Sequence, residues 1–402
     1  MASEGGFYFK NKELDYQLLR TMGHSVERAA ELGECFSTAS RINEHDPMSW
    51  IGEWNATAGR VESIADDCLS KGDRIGGREA LLRASEYYRT ADFYVDRSTG
   101  NLDSWSRSVE CFNRARKLLE SPFEKVDIPF EDTRIPGYFY PSGKDGGPTL
   151  LIHTGFDGTA EELHYDRAMD ALRRGYNVLT FEGPGQGAVI RRQGIPFRPD
   201  WENVVTPVVD YLLSRDQVDP DRIALMGLSM GGYLAPRAAT REHRISACIA
   251  NGGILDLFEA FALKGGMGPD RLLEILERWP DRFNSKMEKM GRKDLFLHWS
   301  TNHGQWVFGA RSPSEYFLNT REYNLRDLAS EISCPTLVVD SEEEHAFPGQ
   351  AGKLFEALSC PKDLMVFKTS EGAGLHCQVG ALTLGNQRIL NWLDGIMGTR
   401  CQ

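Results

Sequence analysis

One short segment constrains this chain more than any other: Gly227-Leu228-Ser229-Met230-Gly231-Gly232. The apolar run Ile223–Met226 before it reads as a strand, and Gly232–Thr240, rich in small residues, reads as a helix. A strand that turns straight into a helix leaves little room for side chains beside the serine. Glycines let the backbone follow that strained path, and the hydroxyl is left exposed above the sheet edge. Ser229 is therefore the candidate nucleophile. The plainer alternative is a glycine-rich strand–helix turn.

The rest of the chain supplies a setting for such a turn. Up to about residue 121 the pattern is helical. Leu14, Leu18, Leu19 and Met22 recur at helical spacing, as do Trp50, Trp54, Ala58 and Val61, and then Leu81, Leu82, Ala84, Tyr87, Tyr88 and Ala91. Asp46-Pro47 reads as a helix start. Trp50 and Trp54 lie one turn apart, and core packing is expected of them ahead of lining a pocket. From Ser121-Pro122 onward, strand-like runs alternate with helices. The strands are Phe123–Ile128, Thr133–Tyr140, Thr149–His153, Asn177–Phe181, Ile223–Met226, Ala247–Ala250, Thr336–Val339 and Leu364–Phe367. Helices are expected at about Ala160–Arg174 and Glu202–Ser214. Such alternation implies right-handed crossovers and a doubly wound, mostly parallel α/β sheet. The stretch from about 255 to 332 interrupts it, is helical in pattern, and is too long for an ordinary loop. The expected organisation is a helical N-terminal lid domain over 1–121 and a catalytic domain over 122–402, with a helical cap at about 255–332.

A serine hydroxyl is a weak nucleophile until a base takes its proton. In this topology the base follows the last strand, where Glu371-Gly-Ala-Gly-Leu-His376 succeeds Leu364–Phe367. His376 is the expected base, because imidazole titrates near neutral pH. Cys377, directly after it, is set aside as a nucleophile, since sequence neighbours usually point apart. The third member is sought in the loop after Thr336–Val339, which reads Asp340-Ser341-Glu342-Glu343-Glu344-His345. Glu344 stands where this fold usually carries an aspartate and is preferred, with Asp340 and Glu343 as alternatives.

Acyl chemistry also needs donors for a developing oxyanion. One is expected from the backbone N–H of Met230, the other from Phe156 in the loop Thr154-Gly155-Phe156-Asp157-Gly158. Gly183-Pro184-Gly185-Gln186-Gly187 has neither the lysine of a phosphate loop nor a full GxGxxG, and reads as the turn after Asn177–Phe181. Glu182 ends that strand within reach of the site.

Composition narrows the partners. A formal net charge of −12 over 402 residues argues against nucleic-acid binding. No apolar run approaches the roughly 18 residues of a membrane span, and the first residues do not read as a secretory signal. The eight cysteines are scattered, with no CxxC pair or metal-ligand spacing. No metal site is expected, and the cysteines suit reduced thiols in the cytoplasm.

Taken together, Ile152-His-Thr-Gly-Phe-Asp-Gly-Thr159, Phe181-Glu-Gly-Pro-Gly-Gln-Gly187, Gly227-Leu-Ser-Met-Gly-Gly232 and Glu371-Gly-Ala-Gly-Leu-His-Cys377 resemble one branch of the α/β-hydrolases. That branch includes the bacterial 2,6-dihydropseudooxynicotine hydrolase and the fungal pigment-pathway hydrolases that shorten polyketide chains. The helical segment with Trp50, Trp54, Tyr87 and Tyr88 is similar as well. The resemblance implies a helical lid, a homodimer, no cofactor, and a small-molecule substrate. It implies hydrolysis of a carbon–carbon bond beside a ketone, or of an ester-like bond, in an aromatic or polyketide-type metabolite. Ser229 and His376 carry over directly from the family pattern, and the acid carries over with the change to Glu344. An esterase or acyltransferase of secondary metabolism would share these residues. A non-catalytic binding protein on the same scaffold is a third reading, supported by the altered acid position alone.

Overall fold

The structure is a computed structural model that describes residues 6–119 and 123–399. The expected boundary at Ser121-Pro122, and Cys401, lie outside the described residues. The chain divides into two compact units, residues 1–123 with 290–303, and residues 124–289 with 304–402.

The first unit contains α1 (Lys12–Gly23), α2 (Leu32–Ala39), α3 (Pro47–Ser70), α4 (Arg74–Asp92) and α5 (Asp103–Arg116). α3 begins where Asp46-Pro47 predicts. The Asp46 carboxylate accepts from the Met48 amide at 2.9 Å, and Pro47 occupies a first-turn position whose missing N–H costs nothing. The apolar faces of α3 and α4 meet in an aromatic seam. Trp50 and Trp54 stand 5.8 Å apart between ring centroids, and Trp54 and Tyr87 5.4 Å. All three rings are at most 1% exposed, so they pack this unit's core. Each aromatic removes roughly 150–250 Å² from water, a driving force on the order of 4–6 kcal/mol before entropy is counted.

The second unit is built on one eight-stranded sheet. Its strands are β1 (Glu124–Phe130), β2 (Thr133–Tyr140), β3 (Gly147–His153), β4 (Asn177–Phe181), β5 (Val218–Leu228), β6 (Ala247–Asn251), β7 (Thr336–Ser341) and β8 (Lys362–Phe367). They lie in the order β1-β2-β4-β3-β5-β6-β7-β8. β1 and β2 pair antiparallel at one edge, β2 meets β4 antiparallel, and all remaining pairs are parallel. β3, β4 and β6 are buried at every position, as strands covered on both faces must be, whereas edge strand β1 alternates.

Two elements differ from their sequence patterns by more than a residue or two at an end. β5 starts at Val218, ahead of the predicted Ile223, because Asp219-Pro220-Asp221-Arg222 has turn composition yet extends the strand at an irregular pairing with β3. The helix expected over Ala160–Arg174 is broken by a wider turn over His164–Ala168. The wider turn spans only five residues, too few for a periodicity to show.

The parallel strands bring their carboxyl ends to one edge of the sheet, where a fold of this kind keeps its ligand crevice. Ser229 follows β5, Asn251 ends β6, Ser341 ends β7, and the loop with His376 follows β8.

Candidate active site

The turn after β5 is held by close backbone approach. A Cβ on Gly227 would lie 2.0 Å from the Gly231 carbonyl oxygen, and one on Gly231 would lie 2.9 Å from the Thr154 carbonyl oxygen. Ser229 adopts φ +60°, a left-handed conformation that costs a residue with a side chain about 1–3 kcal/mol. The turn is fastened on both sides, with the Ser229 amide donating to the Asn251 carbonyl at 2.8 Å and the Gly232 amide to the Ser229 carbonyl at 2.7 Å. Ser229 is half-buried and heads the helix Gly231–Ala239.

Three predicted side chains come together here. His376 Nε2 lies 2.9 Å from Ser229 Oγ, and His376 Nδ1 lies 2.6 Å from Glu344 Oε2. The second Glu344 oxygen accepts from the Ala346 amide at 2.8 Å and the Phe347 amide at 3.1 Å, so the carboxylate is fixed at both ends. The alternative acids are held elsewhere. Asp340 accepts from the Ser341 amide, and Glu343 accepts from the Thr369 hydroxyl at the surface. The loops carrying acid and base are joined directly, as the Glu343 amide donates to the Gly374 carbonyl at 2.8 Å.

Burial sets the electrostatics. It pushes the His376 imidazole down, but the Cys377 sulfur and the Glu344 carboxylate on the ring outweigh it, and the imidazole pKa stands well above its ordinary value. Burial likewise opposes ionisation of Glu344, yet the His376 ring, the Phe347 amide and the nearby His345 take its pKa down to about 2. Glu344 is therefore a carboxylate throughout the working range, and Nδ1 of His376 keeps its proton to donate to it.

The loop expected to supply the second oxyanion donor passes tightly over the serine turn. A Cβ on Gly155 would lie 2.4 Å from the Met230 amide nitrogen and 2.8 Å from the Leu228 carbonyl oxygen. That approach brings Phe156, next in the chain, to the same turn as Met230. Gln186 braces the loop from below, donating to the Thr154 carbonyl at 2.6 Å while it accepts from the Gly183 amide at 3.0 Å. The Gly183–Gly187 segment is thus a turn that supports this loop. Glu182 fastens both neighbours, accepting from the Ala160 amide at 2.8 Å and the Ala188 amide at 2.7 Å. Burial, with Glu161 nearby, pushes its carboxyl up to about 7.

Several residues at the site have no obvious signal in the sequence. Cys377 does not point away from its neighbour. It adopts φ +53°, and its sulfur lies 3.5 Å from His376 Nε2. Gln378 follows at φ +58°, so two consecutive residues with side chains are left-handed. Asn251, Gln378 and Arg167 form buried hydrogen bonds behind the histidine. A polar Asn251 ending the otherwise apolar β6 is the one clue periodicity offered.

Comparison with known proteins fits this geometry. A family model described as "Alpha/beta hydrolase family" matches residues 149–374. Over 414 residues the chain is 34% identical to hydrolase LUC6 of a Fusarium species, covering 98% of each chain. It is 33% identical over 408 residues to the 20-hydroxy-prefusarin hydrolase FUS2 of Gibberella moniliformis, covering 96% of this chain and 97% of that one. The crystal structure of 2,6-dihydroxy-pseudo-oxynicotine hydrolase superposes with a TM-score of 0.72 at 23% identity, over 94% of this chain and 95% of that chain, a likeness of fold. Among the described residues, no helix is long and apolar enough to cross a membrane. The chain belongs to the alpha/beta hydrolase family and is a hydrolase.

Proposed function

We propose that this protein is a serine hydrolase in which Ser229 attacks a substrate carbonyl. The observation that carries the reading is the unbroken line of hydrogen bonds from Ser229 Oγ through His376 to Glu344. As Oγ forms a bond to the carbonyl carbon, its proton passes to Nε2 of His376. The carbonyl oxygen takes up the negative charge against the N–H groups of Met230 and Phe156. When the tetrahedral adduct collapses, Nε2 returns that proton to the leaving group, an enol or carbanion if a carbon–carbon bond breaks and an alcohol if an ester does. Water, deprotonated by His376, then releases the acyl group from Ser229.

The substrate we propose is a small aromatic or polyketide-type metabolite with a ketone or ester-like carbonyl. The relative named as a 20-hydroxy-prefusarin hydrolase, alike over nearly the whole chain, supports a small metabolite. We include in this reading a cytoplasmic homodimer whose N-terminal helical domain, 1–121, takes part in substrate selection. Labelling with a fluorophosphonate, followed by mass spectrometry of the peptide containing Ser229, tests the nucleophile. Absence of label on that peptide rejects it. Product analysis against β-diketones, aryl esters and polyketide lactones then separates carbon–carbon from ester cleavage.

A further inference from the structure

Three buried polar side chains stand behind the loop of His376 and have no part in the chemistry above. Arg167, Asn251 and Gln378 are each at most 1% exposed. Asn251 and Gln378 exchange a pair of hydrogen bonds, Asn251 Nδ2 to Gln378 Oε1 at 3.0 Å and Gln378 Nε2 to Asn251 Oδ1 at 3.1 Å. The main-chain carbonyl of the same Asn251 accepts from the Ser229 amide at 2.8 Å. Arg167 closes the far side, donating to the Cys377 carbonyl at 2.9 Å and to Asn386 Oδ1 at 2.7 Å.

We propose that Asn251 and Gln378, backed by Arg167, are positioning residues that hold His376 in register with Ser229. The inference rests on the reading of those two residues as base and nucleophile. Asn251 is the common point: its main chain fixes the serine turn, and its side chain fixes the loop that carries the base. That loop needs fixing, because Cys377 and Gln378 are both left-handed, a conformation outside any helix or strand ladder that would define it. A paired amide is directional where apolar filling of the same volume is not. Displacement of a base by about 1 Å costs on the order of 10²-fold in rate. Apart from polar Asn251 at the end of β6, the sequence carries no sign of the clamp, because its members lie 127 and 211 positions apart.

The test uses the full chain, with Gln378→Met removing the amide's hydrogen bonds to Asn251, Arg167 and Ser341 at similar volume and Gln378→Glu retaining the acceptor for Asn251 and Arg167 and adding charge. Fluorophosphonate labelling of Ser229, kcat and KM on p-nitrophenyl acetate, and the pH dependence of labelling are measured. Gln378→Met is expected to lower kcat and the labelling rate by about 10- to 100-fold, with KM within about threefold and a cooperative unfolding transition retained. Gln378→Glu is expected to recover part of that loss and to move the acid limb of the pH profile upward, which a residue serving only the fold would not do. Labelling by folded Gln378→Met within about fivefold of the unaltered protein overturns the clamp. If that variant does not fold, a Gln378→Glu limb at the unaltered pH overturns it instead. Failure of the unaltered protein to label at Ser229 rejects the underlying reading, and the clamp falls with it.

Discussion

Glu344 reaches His376 through one oxygen only, Oε2 to Nδ1 at 2.6 Å, while its other oxygen is taken by the amides of Ala346 and Phe347. The extra methylene of a glutamate therefore does not leave the carboxylate loose. Its loop anchors one oxygen and presents the other, which gives the imidazole a fixed orientation and a fixed tautomer.

Substitution Glu344→Gln has a definite consequence in this arrangement. The two backbone amides need an acceptor, so the amide oxygen turns toward them and the NH₂ group faces Nδ1. Nδ1 must then accept, the ring proton moves to Nε2, and Ser229 loses its base. We expect a loss in kcat on the order of 10²- to 10⁴-fold with folding intact. A nearly silent Glu344→Gln alongside a crippling Asp340→Asn, in the same steady-state assay, would assign the role to Asp340.

Ser229→Ala removes the proposed nucleophile with little change of volume. Activity is expected to fall about 10⁴- to 10⁶-fold, with an unaltered thermal transition. Retention of a tenth of the activity would mean that another group attacks the substrate.

Gly155→Ala tests the oxyanion loop. Its Cβ would meet the Met230 amide nitrogen at 2.4 Å, so the loop must rise away from the serine turn and carry Phe156 with it. Loss of one donor to an oxyanion is worth about 10²- to 10³-fold in kcat. A Gly155→Ala protein with wild-type kcat would exclude Phe156 as a donor.

The strand cores and the serine turn were legible because buried parallel strands form apolar runs, and a serine flanked by small residues after such a run has few other uses. His376 was legible from its place after the last strand. Cys377 was not. Neighbouring side chains point apart in extended or helical backbone, but φ +53° folds this one back until its sulfur lies 3.5 Å from Nε2. Left-handed residues other than glycine leave no mark in composition, so the pairing of Gln378 with Asn251 was equally hidden. The wide turn over His164–Ala168, which carries buried Arg167, was lost because five residues are too few to show a periodicity.

The aromatic seam of the N-terminal unit makes a separate prediction about stability. Trp50 Nε1 donates to the Thr90 carbonyl at 2.8 Å, whereas Trp54 Nε1 is buried with no hydrogen-bond partner among the described residues. Trp50→Phe and Trp54→Phe delete the same atoms from similarly buried sites. Trp50→Phe is expected to destabilise more by about 1 kcal/mol, the net worth of one hydrogen bond, as read from urea unfolding. Equal or reversed losses would show that cavity terms dominate at both positions.

The pH dependence of the reaction follows from the charges around His376. The base must be neutral to accept the serine proton, so activity is lost as pH falls through the imidazole pKa. Burial lowers that pKa, and the Cys377 sulfur and Glu344 carboxylate raise it by more, placing it well above the ordinary 6.5. The acid limb of kcat/KM is therefore expected above pH 6.5, and the protein should work best in neutral to alkaline solution. Glu344 does not titrate in that range, since its carboxyl stays ionised down to about pH 2. The single limb therefore belongs to His376. Residual activity of Glu344→Gln should show the limb at lower pH, because the variant loses the charge that stabilises imidazolium. A limb below pH 6 in the unaltered protein, or one that rises in Glu344→Gln, would show that burial outweighs the ion pair and that His376 is neutral by desolvation alone.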